Sequence, residues 1–143
     1  MDSDDRLTAS RPQTAEERIE FVRGVMDAFN RRDIEGLLEF VGPDFEYDWT
    51  RSMGPLAGVY RGPEGFKEFV DEQWTMFEEF EVEALEFIPC GEHVVVPTRV
   101  RATGRGGVPV GATSAHLYTF EDGRIVRITL FQGSEGALAA AGG

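Results

Sequence analysis

The sequence feature that most restricts the fold is a pair of β-rich runs joined by Asp122-Gly123, within the stretch ATSAHLYTFEDGRIVRITLFQ. An Asp-Gly pair between such runs predicts a β-hairpin with a type I′ turn, because both central residues of that turn need a positive φ. With a two-residue turn, Tyr118 lies opposite Arg127, and side chains alternate between two faces. One face carries Thr113, Ala115, Leu117, Thr119, Val126, Ile128, Leu130 and Gln132. The other carries Ser114, His116, Tyr118, Phe120, Ile125, Arg127, Thr129 and Phe131.

Length and charge limit the kinds of partner that this chain can have. With 143 residues it is large enough for one domain with its own hydrophobic core, without help from disulfides or a structural metal. The formal net charge is −12 at pH 7. Nucleic acid and anionic membranes attract proteins through clustered Lys and Arg, so this acidity argues against both as partners.

Several features predict a cytoplasmic protein. Cys90 is the only cysteine and cannot form a disulfide within the chain. No apolar run approaches the roughly 18 residues of a membrane span, and the N-terminus lacks the features of a signal peptide. Residues 1–13 contain too little apolar surface to offset the entropy of ordering, which predicts a flexible tail. A single domain is therefore predicted over residues 14–143.

The first half of the chain carries signals for three helices. Thr14 and Glu17 fit a capping box, in which each side chain pairs with a backbone N–H group left free at the start of a helix. Asp33 is placed to cap a second, shorter helix that ends at Gly42-Pro43. Pro63 stands at the start of a third helix, where its missing N–H has no cost. The apolar stripe of this third helix contains Phe66, Phe69, Val70, Trp74 and Phe77.

The remaining segments favour antiparallel strands. Phe45, Tyr47 and Trp49 alternate with polar residues, which predicts a short half-buried strand. The alternation within residues 80–88 changes phase, as expected of a strand bent by a bulge. Pro97 lacks the N–H that a strand interior needs and therefore predicts an edge or bulge position. A short Ala-rich helix is predicted after the closing hairpin.

This order of elements is an α+β pattern in which one curved sheet carries helices on its concave side. The stretches AFNRRDIEGLLEFVGPDFEYDW, GVYRGPEGFKEF and AHLYTFEDGRIVRITLF resemble those of SnoaL-like domains in the NTF2-like superfamily, which also contains ketosteroid isomerases, limonene epoxide hydrolases and polyketide cyclases. The resemblance covers the chain from Thr14 onward. It implies an NTF2-like cone, with a curved antiparallel sheet, three helices from the N-terminal half on its concave face and a short C-terminal helix.

The resemblance also implies a pocket and a partner. In this fold the concave face and the helices enclose an apolar pocket, and the convex face commonly meets a second subunit. A small hydrophobic molecule and a homodimer through the outer sheet face are therefore expected. The resemblance implies that the residues facing the pocket are Thr113, Ala115, Leu117, Ile128, Leu130 and Gln132. It implies that the residues on the outer face, as dimer contacts, are His116, Tyr118 and Phe131.

Two residues are candidates for acid–base chemistry. Asp48 lies near the position of the base in the ketosteroid isomerases, and a dry pocket would raise its pKa; the alternative is a solvated carboxylate on the strand surface. His116 is either a pocket base or an outer-face residue, and histidine is the natural proton carrier near neutral pH. Leu130 occupies the position where family enzymes tend to place an acid.

The expected ligand-binding residues are Tyr47, Trp49, Trp74, Thr98, Arg99, Leu117, Ile128, Leu130 and Gln132. The glycine-rich turn after Arg99 and Arg101 leaves their orientation open. No metal and no cofactor are expected, because Cys90-x-x-His93 supplies only two of the three or four ligands that zinc takes. Two functions remain open. One is a non-catalytic protein that binds a small apolar molecule, and the other is a cofactor-free isomerase, cyclase or hydrolase that uses Asp48 or His116 for proton transfer.

Overall fold

The computed structural model describes residues 14–52, 56–104 and 106–142. Its helices are α1 (Ala15–Asn30), α2 (Ile34–Leu38), α3 (Gly62–Met76) and α4 (Ser134–Ala140). Its strands are β1 (Val41–Asp48), β2 (Val59–Arg61), β3 (Phe77–Ala84), β4 (Ile88–Cys90), β5 (His93–Gly104), β6 (Pro109–Glu121) and β7 (Arg124–Phe131). The tail predicted over residues 1–13 lies outside the described residues, and the domain boundary stays a prediction.

All seven strands belong to one sheet, in the order β2-β1-β7-β6-β5-β3, with β4 also paired to β5. The α+β class and the cone are confirmed, but the expectation of a wholly antiparallel sheet is wrong in one place: β1 runs parallel to β7. A tight turn forces antiparallel pairing only between strands that follow each other directly, and most of the chain separates β1 from β7.

The two sheet faces carry different helices. Helices α1, α2 and α3 pack on the concave face, where the main core includes Val22, Phe45 and Phe69. Helix α4 packs on the outer face, where a second cluster contains Val95, Ala115, Leu117, Phe131 and Ala137. None of the helices in the described residues is long and apolar enough to cross a membrane.

The predicted helix starts are confirmed, and two predicted ends are wrong. Phe77, expected on the stripe of α3, is the first residue of β3. The Thr14 hydroxyl accepts from the Glu17 N–H at 3.1 Å, and the Glu17 carboxylate accepts from the Thr14 N–H at 3.1 Å. Asp33 caps α2 by accepting from the backbone N–H of Gly36 at 2.9 Å. Helix α2 ends at Leu38, before the expected Gly42-Pro43, because the chain from Val41 onward already pairs with β7.

The single bulged strand predicted over residues 80–88 is wrong, because the structure has two strands with a break between them. Strand β3 ends at Ala84 and β4 begins at Ile88, and both pair with β5. Pro97 lies opposite this break, where its carbonyl oxygen accepts from the backbone N–H of Leu85 at 2.8 Å. The proline therefore occupies a position where no regular ladder donor is required.

The closing hairpin has the predicted turn but a different register. Asp122 and Gly123 have φ values of 53° and 74°, as a type I′ turn requires. Thr119 lies opposite Arg127 and Phe120 opposite Ile125, so Val126 is an extra residue in β7. This β-bulge moves the rest of β6 by one position relative to β7, and one position exchanges the two faces.

The bulge overturns part of the expected sorting of side chains. His116 lies opposite Leu130 and Tyr118 opposite Ile128, so all four share the concave face. His116 and Tyr118 are therefore not the outer-face dimer contacts expected of them. Leu117, like Ala115 and Thr113 on the same side of β6, is turned away from the concave face and does not line it. Phe131 lies on the outer face as expected.

Candidate functional site

A cavity of about 60 Å³ lies between the helices and the concave face of the sheet. Its wall is mostly apolar. The helices contribute Val25, Met26, Phe29, Leu37, Phe66 and Gln73. The strands and the residue after β1 contribute Tyr47, Trp49, Phe80, Val82, Val100, Ser114, His116, Tyr118, Ile128 and Leu130.

His116 is the one titratable histidine in this wall, and its side chain is 7% exposed. Removal from water penalises the charged imidazolium and lowers the pKa of His116 from 6.5 to about 4. Within the described ranges no carboxylate or other side chain forms a hydrogen bond or ion pair with the ring. At neutral pH, His116 is therefore an uncharged imidazole with one donor and one acceptor nitrogen.

Two tyrosines add neutral hydroxyl groups to the same wall. Burial raises the pKa of Tyr47. The nearby Trp49 indole lowers this pKa by a smaller amount, because its N–H approaches the phenol without reaching full hydrogen-bond geometry. Burial also raises the pKa of Tyr118, with a further contribution from Tyr47. Both phenols stay protonated at neutral pH and can donate a hydrogen bond.

Phe69 holds two of these wall residues in place. It is fully buried, and its ring centroid lies 4.7 Å from that of Tyr47 and 4.6 Å from that of Trp49. Its ring also meets Tyr60 edge-on at 5.0 Å. Edge-to-face packing at these distances adds to the burial energy and fixes ring orientation. Helix α3 thus sets the positions of the polar atoms that β1 presents to the cavity.

Of the two positions that the sequence left open for Asp48, the structure has the one on the strand surface, outside the cavity. In β1 the side chains of Phe45 and Tyr47 face the core, so the alternation turns Asp48 to the other side of the sheet. Its carboxylate accepts from the backbone N–H of Thr50 at 3.0 Å and from the Thr50 hydroxyl at 2.7 Å. Although burial raises the pKa of Asp48, the Thr50 hydrogen bonds and nearby arginines lower it below 3.8. A carboxylate held ionised outside the cavity is a poor general base for a ligand inside it.

Arg99 also faces outward, which answers the orientation question that the sequence left open. In β5, Val94 belongs to the inner core, and Arg99 and Arg101 have the opposite parity. Arg99 pairs with Glu83 at 3.5 Å, and Arg101 pairs with Glu81 at 2.9 Å. These arginines form cross-strand ion pairs on the outer face and do not line the cavity.

The remaining predicted ligand-binding residues divide into three groups. Tyr47, Trp49, Ile128 and Leu130 line the cavity as expected. Thr98 is fully buried beside it, but its hydroxyl pairs with the Ser114 hydroxyl at 2.9 Å. The others lie elsewhere: Leu117 packs in the outer cluster, Gln132 donates to the Arg51 carbonyl oxygen at 2.8 Å, and Trp74 packs beside Phe29 at 5.8 Å.

Gln73 is a cavity residue that the sequence analysis missed. It is 3% exposed and lies on the buried face of α3 with Phe66, Phe69 and Val70. Its Oε1 atom has no hydrogen-bond partner among the described residues. A signal was available, because position 73 follows the apolar positions 66, 69 and 70 at helical spacing, and a polar residue there interrupts the stripe.

The described residues hold no group of three His, Cys, Asp or Glu side chains that could bind a metal ion. The cavity wall consists of side chains that are uncharged at neutral pH. It can enclose an apolar body, donate hydrogen bonds from phenols and an indole, and accept one at Gln73 or the imidazole.

Several solved structures share this fold. TerC, crystallized with polyporic acid, is 28% identical, with a TM-score of 0.73 over 87% of this chain and 98% of TerC. An NTF2-like protein of unknown function from Burkholderia pseudomallei is 27% identical, with a TM-score of 0.75 over 89% and 97% of the two chains. A protein with a ketosteroid isomerase-like fold from Catenulispora acidiphila is 18% identical, with a TM-score of 0.70 over 86% and 92%.

Of the two sequence comparisons, the one with family models identifies a family. No curated protein matches the chain. The model of the SnoaL-like domain matches residues 22–128, which include the lining residues of the cavity from Val25 to Ile128. With most of its length matched and the cone fold present, the chain belongs to the SnoaL-like domain family.

Proposed function

We propose that this protein binds a small, uncharged and largely apolar molecule in the cavity on the concave face of its sheet. The observation that carries the proposal is a void bordered by apolar and neutral polar side chains, with His116 held uncharged among them. Close packing normally leaves few such voids in a protein interior. A charged ligand would lose its hydration here without meeting an opposite charge.

The size of the cavity restricts the ligand. An engineered apolar cavity of about 150 Å³ takes up benzene, and the present cavity is less than half that volume. A single ring therefore enters only if lining side chains move. Met26, which is unbranched and borders the cavity, is the side chain best able to do so. TerC was co-crystallized with polyporic acid, which supports a small molecule as the kind of ligand.

The direct test is a titration that uses Trp49 as the reporter. The chain contains two tryptophans, and only Trp49 borders the cavity. In the Trp74→Phe variant, acetophenone is expected to change the remaining indole fluorescence with saturation, and benzoate, its charged analogue, is expected to have no effect. Saturation at 100 times Kd should also stabilise the fold by about 2.7 kcal/mol, read as a rise in Tm.

The matched control is Trp49→Phe, which keeps Trp74 outside the cavity wall. Its fluorescence should not respond to acetophenone. A response of equal size in both variants would place the ligand elsewhere. Tighter binding of benzoate than of acetophenone would contradict an uncharged ligand and would favour an acidic one.

A second candidate function is cofactor-free proton transfer with His116 as the base. The observation that favours it is the neutral imidazole at the cavity wall. Against it, within the described residues no carboxylate orients the ring, and Leu130 stands directly opposite in β7. If the protein is an enzyme, His116→Gln should abolish turnover of a bound ligand while its Kd stays within a few-fold. Loss of binding alone would leave the binding proposal in place.

A further inference from the structure

The cavity wall carries two buried polar atoms whose hydrogen-bonding capacity is unused. Gln73 Oε1 and Trp49 Nε1 are both buried. Gln73 Oε1 has no partner in the described part of the chain, and Trp49 Nε1 approaches the Tyr47 hydroxyl without completing a hydrogen bond. Leaving such an atom unpaired costs about 1–3 kcal/mol, so native proteins seldom do it without a reason. Both residues border the cavity, where a bound molecule can reach them.

The two atoms have opposite roles. The indole nitrogen of Trp49 can only donate, and the amide oxygen of Gln73 accepts. Trp49 follows β1 and Gln73 lies on α3, so the pair comes from different elements that meet through Phe69. A ligand that satisfies both must therefore offer one acceptor and one donor on an otherwise apolar body.

We infer that Gln73 and Trp49 select a neutral ligand that carries both a hydroxyl or N–H donor and a carbonyl-type acceptor, such as a hydroxylated aromatic ketone. The inference rests on the proposed function and narrows it to a chemical class. Gln73 accepts from the donor of the ligand, and the Trp49 indole donates to its acceptor. An apolar molecule alone would fill the void and leave both protein atoms unpaired.

Four matched classes of probe separate the two contacts. The 3- and 4-hydroxyacetophenones carry both a hydroxyl donor and a carbonyl acceptor. In the methylacetophenones a methyl group replaces the hydroxyl, and in the isopropylphenols an apolar branch replaces the carbonyl. The isopropyltoluenes have neither the hydroxyl nor the carbonyl. Calorimetric titration at pH 6.5 keeps the phenols uncharged. The better hydroxyacetophenone isomer is expected to bind roughly 5- to 10-fold tighter than its methyl counterpart.

Gln73→Met tests the acceptor directly, because methionine has a similar length but no amide. This variant is expected to bind the hydroxyl and methyl probes equally while its affinity for the methyl probe stays as in the wild type. Glu72→Met, on the exposed side of the same helix, is the matched control and should keep the preference. Trp49→Phe should in the same way remove the preference for acetophenones over isopropyl probes.

The free protein supplies a second readout. Gln73→Met replaces an unpaired buried acceptor with an apolar group, so its Tm without ligand should equal or exceed that of the wild type. A lower Tm would mean that Gln73 already has a hydrogen-bond partner in the folded protein. If Gln73→Met kept the preference for the hydroxyl probes, Gln73 would not be the residue that accepts from the ligand. Either result overturns the inference. If none of the four classes of probe binds, the isopropyltoluenes included, the proposed function itself fails.

Discussion

Phe69→Ala is expected to lower the free energy of unfolding by about 3–5 kcal/mol, the usual cost of truncating a fully buried phenylalanine. Three aromatic partners, Tyr47, Trp49 and Tyr60, would lose the ring against which they pack. Stabilities of single domains are commonly 5–15 kcal/mol, so this change removes a large share of the total. Urea denaturation followed by circular dichroism measures it.

The control for this experiment is Leu85→Ala, because Leu85 is 46% exposed and lies in the break between β3 and β4. Its loss should stay within about 0.5 kcal/mol. A loss below 1 kcal/mol for Phe69→Ala would show that the aromatic cluster does not hold the cavity wall together. The positions assigned to Tyr47 and Trp49 would then lack their support.

The second large effect is a dependence of stability on pH that comes from His116. The pKa of His116 is about 4 in the folded protein and 6.5 in the unfolded chain. Between these values the unfolded chain binds more protons, so stability falls as the pH is lowered from 6.5 to 4. The difference between the two pKa values corresponds to roughly 3 kcal/mol in the free energy of unfolding. This stability is fully present above pH 6.5 and is lost at pH 4 and below.

Comparison with His116→Gln isolates this contribution, because every other titrating group is common to both proteins. Unfolding free energies measured between pH 4 and pH 7 should converge or cross as the pH falls, with the wild type losing roughly 3 kcal/mol more than the variant. His93→Gln removes the other histidine and keeps His116, so it should retain the full loss. Parallel curves for the wild type and His116→Gln would mean that the imidazole is accessible to water.

Local signals predicted the elements of this fold well. Asp122-Gly123 set the type I′ turn, and Thr14 with Glu17 set the start of α1. Each of these features depends on a few neighbouring residues, and local geometry is sufficient to specify them. The parallel pairing of β1 with β7 was not predicted, because it joins segments far apart in the sequence.

The site was harder to predict because one residue changes its composition. Val126 forms a β-bulge, and the residues of the adjacent turn give no indication of it. The bulge places His116 and Tyr118 on the concave face in place of Leu117. For Asp48 the sequence left two positions open. The aromatic alternation in β1 favours the position that faces away from Tyr47, and the family analogy favoured the pocket. Gln73 was not predicted, because the aromatic residues of the same stripe are sufficient to explain the buried face of α3.

The most direct test of the account is NMR spectroscopy of the two histidine side chains during titration with acetophenone at neutral pH. His116 borders the cavity, and the His93 ring lies on the other face of β5, 3.2 Å from the Thr119 hydroxyl. The ring signals of His116 are expected to be those of a neutral imidazole and to shift with saturation, while those of His93 stay in place. Binding that leaves His116 unchanged, or a charged His116 ring in the free protein, would contradict it.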